Sequence, residues 1–76
     1  METAETKTIE VVVNGMARTI PAGISLDRLL EWLAIDASRV AVELNGQIVR
    51  MREWPAATVN EGARIEVVWF VGGGAK

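Results

Sequence analysis

From Thr8 to Val13 apolar and polar residues alternate, with Ile9, Val11 and Val13 on one face and Thr8 and Glu10 on the other. A period of two is that of a half-buried β-strand. Asn14-Gly15 follows, and this pair suits a type I′ hairpin turn, which needs φ > 0 at both central positions. The chain therefore returns as a second strand, Met16 to Ile20, with Met16, Arg18 and Ile20 opposite Ala17 and Thr19. Pro21-Ala22-Gly23 is expected to break that ladder.

The period then changes. Leu26, Leu29, Leu30 and Leu33 recur at i, i+3, i+4 and i+7, leaving Asp27, Arg28 and Glu31 turned away. This is one apolar stripe on a short helix. Ser25 is a suitable N-cap, and Asp27 in the first turn suits the helix dipole. Trp32 is expected to cover the edge of the stripe and Ile35 to close the helix end, with 36–38 as the exit loop. A third strand spans Val40 to Leu44, with Val40, Val42 and Leu44 toward the core. A second Asn-Gly pair, Asn45-Gly46, turns it into a short strand, Gln47 to Arg50. The stretch 51–59 reads as irregular, with Trp54 a plug beneath the loop. Asn60-Glu61-Gly62 marks another turn, and Arg64 to Phe70 is a strand almost continuous in β-branched and aromatic residues.

The pattern predicts an α+β domain: a mixed sheet of four to five strands packed on one main helix. The last strand is so apolar that it belongs in the middle. If it runs parallel to the first strand, with the helix inside the connection, the arrangement is the β-grasp (ubiquitin-like) one, a topology that rests in part on the family resemblance given below. The expected organisation is a flexible lead over 1–7, the folded domain over 8–70 and a flexible glycine-rich tail over 71–76.

Composition narrows the function. A chain of 76 residues buries only about 60% of its unfolded surface on folding, and an apolar content of 50% supplies the core this requires. The net charge of -2 is spread along the chain with no basic block, which argues against nucleic acid as a partner. Without cysteine or histidine there is no thiolate or imidazole chemistry and scarcely any route to a zinc site. Glu43, Glu61 and Glu66 lack the paired spacing of glycosidase or metal chemistry. The terminal glycines lead into no helix, so they form no phosphate loop. No bound cofactor, no metal and no catalytic residue are expected: the chain reads as a non-enzyme. The N-terminus has no apolar signal core, and the longest apolar run, 67–71, falls far short of the roughly 20 residues that cross a bilayer. A cytoplasmic protein with no membrane partner is the expectation.

The features left to carry function are at the end of the chain. Gly72-Gly73-Gly74 has no Cβ atom to obstruct a narrow slot, and ordering it costs much entropy. From Val71 to Gly74, an extended chain reaches roughly 13–14 Å, enough to enter a partner's active site while the body docks outside. If Ile65, Val67 and Trp69 face the core, then Val68 and Phe70 face outward and form an apolar docking patch beside the tail. An almost continuous apolar run does not itself say which set is inward, so covered faces or swapped sets stay open. Arg50, Arg52 and Glu53 read as solvated surface.

These residues resemble a known family. The strand into Asn14-Gly15, Leu29-Leu30, Leu44-Asn45-Gly46-Gln47-Ile48-Val49, Arg52-Glu53-Trp54 and Asn60-Glu61-Gly62-Ala63 carry the likeness, above all with the ending Ile65-Glu66-Val67-Val68-Trp69-Phe70-Val71-Gly72-Gly73-Gly74. Together they resemble the ThiS family, the bacterial sulfur carriers that serve the thiazole of thiamin. The resemblance implies an E1-like adenylating enzyme that uses ATP to activate the carboxylate of Gly74, with Val71, Gly72 and Gly73 threading its active site. A sulfur donor protein then leaves a thiocarboxylate, and thiazole synthase takes the sulfur. Related alternatives are the small subunit of molybdopterin synthase and a ubiquitin-like protein modifier. Family tails usually end at the diglycine, whereas Ala75 and Lys76 follow Gly74 here. Either a protease exposes Gly74 or Ala75 and Lys76 are not native, and an end at Gly73 fits the tail pattern less well; the chain as written is expected to be a precursor.

Overall fold

The computed structural model describes residues 7–71. Most of the expected lead and the tail beyond Val71 lie outside the described residues. Strands β1 (Thr8–Val13) and β2 (Met16–Pro21) precede the helix α1 (Leu26–Trp32). A 3₁₀ turn (Ala37–Arg39) leads into β3 (Val40–Leu44) and β4 (Gln47–Val49), and a second (Met51–Ala56) precedes β5 (Arg64–Trp69). The five strands form one sheet in the order β2-β1-β5-β3-β4. β1 and β5 run parallel, while β1–β2, β3–β4 and β3–β5 are antiparallel. This is the β-grasp topology: the last strand lies between the first and the third, and the helix lies within the connection.

Both Asn-Gly pairs take the left-handed backbone their turns demand: φ is 50° at Asn14 and 81° at Gly15, and 52° at Asn45 and 86° at Gly46. The core is wholly apolar, with no buried polar or charged side chain among the described residues. Leu26, Leu29 and Leu30 of α1 meet Val11, Val13 and Ile20 from one hairpin and Val40, Val42, Ile65 and Val67 from the other strands. Full burial of a side chain of this size is worth about 1.5–3 kcal/mol. Trp54 is the expected plug, only 2% exposed. Its indole N–H donates to the Val49 carbonyl at 2.8 Å, so the one polar atom it carries inward is satisfied.

Several expectations change. Pro21 continues β2 opposite Thr8 instead of breaking the ladder; β2 is an edge strand, where a missing N–H is tolerated. Met16 and Arg18 share the helix-side face but are exposed, because the seven-residue α1 is too short to cover the end of β2 beyond Ile20. Ser25 stands at the N-cap, yet its hydroxyl donates to the Asp27 carboxylate and not to a helix N–H. Residues 51–56 wind as a 3₁₀ turn where an irregular stretch was expected. Trp69 is half exposed instead of buried, since β1 has already ended alongside Ile65.

The end of α1 is a Schellman arrangement. Ile35 N–H donates to Leu30 O at 2.8 Å and Ala34 N–H to Glu31 O at 3.0 Å, with Ala34 at φ 61°. That conformation normally belongs to glycine, because a Cβ is crowded there. Ala34→Gly is therefore expected to raise stability by about 1 kcal/mol in urea unfolding; an unchanged or lower midpoint would contradict the assignment.

Asp36 opens the first 3₁₀ turn. Its carboxylate accepts from Ser38 Oγ at 2.7 Å and Ser38 N–H at 3.0 Å, and Arg39 pairs with it at 3.3 Å. The Ser38 hydrogen bonds, with a smaller part from Arg39, hold the Asp36 carboxyl below the usual aspartate range. A depressed value in the folded state stabilises above the unfolded aspartate pKa, and that contribution is lost as pH falls through the folded value. In an NMR titration Ser38→Ala should move the Asp36 midpoint upward, and an unmoved midpoint would count against this account.

Candidate functional site

The candidate site is the end of β5, where the chain leaves the sheet. Ile65 and Val67 point inward, while Glu66, Val68 and Phe70 are exposed on the sheet face away from the helix. The register with β3 places Ala41 opposite Val68 and Glu43 opposite Glu66, and the Phe70 N–H donates to Arg39 O at 2.9 Å. Val68 and Phe70 are 55% and 59% exposed, and Val71 is 92% exposed. The structure thus brings Val68 and Phe70 onto one face and places Val71 at the exit. Gly72, Gly73 and Gly74 lie outside the described residues.

Two features of this region were not read from the sequence. The first is Ile48, 75% exposed and opposite Glu43 in β4, which widens the outward apolar surface beside Val68 and Ala41. Its signal was the alternation of a three-residue strand, too short to show a face. The second is Asn14, taken only as a turn residue. Its Oδ1 accepts from the Val67 N–H at 2.7 Å and its Nδ2 donates to Val67 O at 3.2 Å. Asn14 N–H also donates to Ile65 O at 2.9 Å. One carboxamide therefore replaces the next residue of β1 and holds β5 after the hairpin has turned away.

Arg50, Arg52 and Glu53 are exposed, with no ion pair among the described residues. Glu43 and Glu66 line a shallow outer-face groove with Asn45, Gly46 and Arg64. Among the described residues no group of three metal-type ligands comes together, and no helix is long and apolar enough to cross a membrane.

The sequence pattern of the ThiS family matches residues 11–74. The chain belongs to the ThiS family. ThiS proteins are small sulfur carriers of thiamin biosynthesis and not catalysts. The crystal structure of the thiamine biosynthesis protein ThiS from Geobacter metallireducens superposes with a TM-score of 0.78 at 33% identity, covering 87% of this chain and all (100%) of that one. A thiazole synthase from Paramagnetospirillum magneticum is 37% identical over 67 residues, which are 88% of this chain but 21% of that protein. The chain thus spans about a fifth of the thiazole synthases it matches. An uncharacterised protein, ycf40, of Porphyra purpurea is 29% identical over 90% of this chain and 96% of its own length. The ThiS match ends on Gly74, so it takes in all three glycines of the tail.

Asn14→Gly keeps the left-handed turn and removes only the carboxamide. Stability should fall by about 1–2 kcal/mol through the orphaned Val67 groups, and the Val67 amide should exchange faster by NMR. Parental exchange at Val67 would show that the side chain holds nothing.

Proposed function

We propose that this chain carries sulfur for the thiazole ring of thiamin as a thiocarboxylate on Gly74. The observation that carries the reading is the family match running through β5 to Gly74, joined to a strand end that projects Val68, Phe70 and Val71 into solvent. A carboxylate is a poor electrophile until an oxygen becomes a leaving group. An E1-like adenylating partner binds ATP as co-substrate: a carboxylate oxygen bonds to the α-phosphorus, pyrophosphate departs and an acyl adenylate remains. The terminal sulfur of a persulfide donor then attacks the carbonyl carbon and AMP leaves. A thiol reductant cleaves the resulting sulfur–sulfur bond, leaving the thiocarboxylate. Every step after docking uses groups of the partners; this chain contributes its carboxylate, a narrow tail and a docking face. The reaction is placed in the cytoplasm, with its ATP.

The chemistry requires a free carboxylate, so the bond between Gly74 and Ala75 must be opened before activation. Val71, Gly72 and Gly73 thread the partner's active site, and Val68 and Phe70 form the docking patch outside it. Thiazole synthase is the proposed acceptor. Two relatives bearing that name carry a segment similar to this chain within their own polypeptide, which favours the thiazole pathway over a molybdopterin synthase.

Intact mass spectrometry after incubation with ATP, the adenylating enzyme, a persulfide donor and a thiol tests the central claim. The expected product ends at Gly74 with one oxygen replaced by sulfur. A chain that stays unmodified, or appears as adducts on lysines of other proteins, overturns it. Val68→Asp and Phe70→Ala should each weaken binding to the adenylating enzyme by about tenfold or more; parental affinity in both folded variants removes the patch.

A further inference from the structure

Past Asn14, no strand among the described residues lies on the β1 side of β5. The register with β3 determines which main-chain groups face this gap. Asn45 N–H donates to Arg64 O at 2.7 Å and Phe70 N–H to Arg39 O at 2.9 Å, with the Glu43–Glu66 and Ala41–Val68 pairs between them. Even-numbered residues of β5 therefore direct their N–H and C=O toward β3, and odd-numbered residues direct theirs toward β1. On the β1 side, Ala63 O accepts from Val12 N–H and Ile65 O from Asn14 N–H, both at 2.9 Å, and the Asn14 carboxamide takes both groups of Val67. Trp69 and Val71 come next in that series. Among the described residues, neither has a hydrogen-bond partner on this side.

We infer that this gap is a strand-addition site that takes an extended segment of the protein receiving the tail. The inference rests on the carrier reading, because it describes how such a partner grips the strand leading to the tail. Main-chain groups facing one way at every second residue, roughly 7 Å apart, match the repeat of an extended chain. An unpaired edge of this kind is a template for another strand. The side chain of Trp69, half exposed on the helix-side face, adds apolar surface to the match.

A second copy of this chain is a poor occupant. Among the described residues the free edge spans Trp69 and Val71, and pairing two such stubs buries far less than the roughly 1,200 Å² of a stable interface. A partner that also covers Val68 and Phe70 and admits the tail adds those areas to the strand contact. Asn14 closes one end of the gap and so sets the register at which the added strand begins.

Residue-resolved amide exchange on the full chain tests this, with and without a saturating adenylating enzyme and in the absence of ATP and sulfur donor. The Trp69 and Val71 amides should slow by about 100-fold in the complex. Phe70, already bonded to Arg39, should change little. Unchanged rates at Trp69 and Val71, in a complex where the Val68 and Phe70 resonances shift, overturn the inference. So does protection that grows with the concentration of the chain alone, which assigns the edge to a second copy. Trp69→Pro removes the N–H on the open side, and Trp69→Phe keeps it. The first should weaken binding at least tenfold relative to the second, and equal affinity of the two folded variants also overturns the inference. Because no sulfur is transferred, failure to form a thiocarboxylate leaves this result standing, and absence of protection leaves the carrier reading intact.

Discussion

The parallel pairing of β1 with β5 is the constraint on which the rest of the structure depends. It joins Val12 and Val13 to Arg64 and Ile65, across some fifty residues of chain. No hairpin can make such a contact; a parallel pair needs a crossover, and here the crossover contains the helix. Once β5 is seated between β1 and β3, both its edges are occupied over Arg64–Val67, and its inward residues, Ile65 and Val67, lie under α1. Remove that strand and the sheet separates into two hairpins, neither with enough apolar surface to stand alone.

The same strand divides into a structural half and an exposed half. Through Val67 it is paired on both sides and buried on one face. From Val68 to Val71 no described strand lies along one edge, and these four successive apolar residues are half exposed or more. Large apolar side chains left in water at the margin of a small domain suit a contact surface, the role proposed above for Val68 and Phe70. The transition is sharp because β1 turns at Asn14 while β3 continues beside β5 to Val40 and Arg39. The length difference between two neighbouring strands thus converts a core strand into a presented one, without a hinge or a separate loop.

Most of the fold was legible because its signals are local. Asn14-Gly15 and Asn45-Gly46 located both hairpins, and the four leucines located the helix face. The apolar run 64–70 located the central strand. What was not legible depended on lengths of neighbouring elements. Trp69 has the alternation of a core residue and is half exposed only because β1 stops short; Met16 is uncovered only because α1 has seven residues. The outward placement of Val68 and Phe70 was readable in part from alternation, while the glycine tail lies outside the described residues. Ile48 was not, since its place on that outer surface follows from β4 pairing with β3, a register the sequence does not state.

The two turn asparagines show how one residue type can serve two levels of structure. Each occupies a left-handed position that few side chains tolerate, which explains Asn locally. Each also reaches β5. Asn45 Oδ1 accepts from the Arg64 N–H at 2.9 Å, at the strand's first residue, and Asn14 Oδ1 accepts from the Val67 N–H at 2.7 Å, where β1 runs out. Two hairpins that never pair with one another are thereby fastened to the strand between them, from opposite sides. Glycine would satisfy either turn, and aspartate would supply the acceptor but not the Nδ2 donor that holds Val67 O. Asparagine alone meets the turn, the acceptor and the donor at Asn14, the point where β5 passes from the core toward the tail.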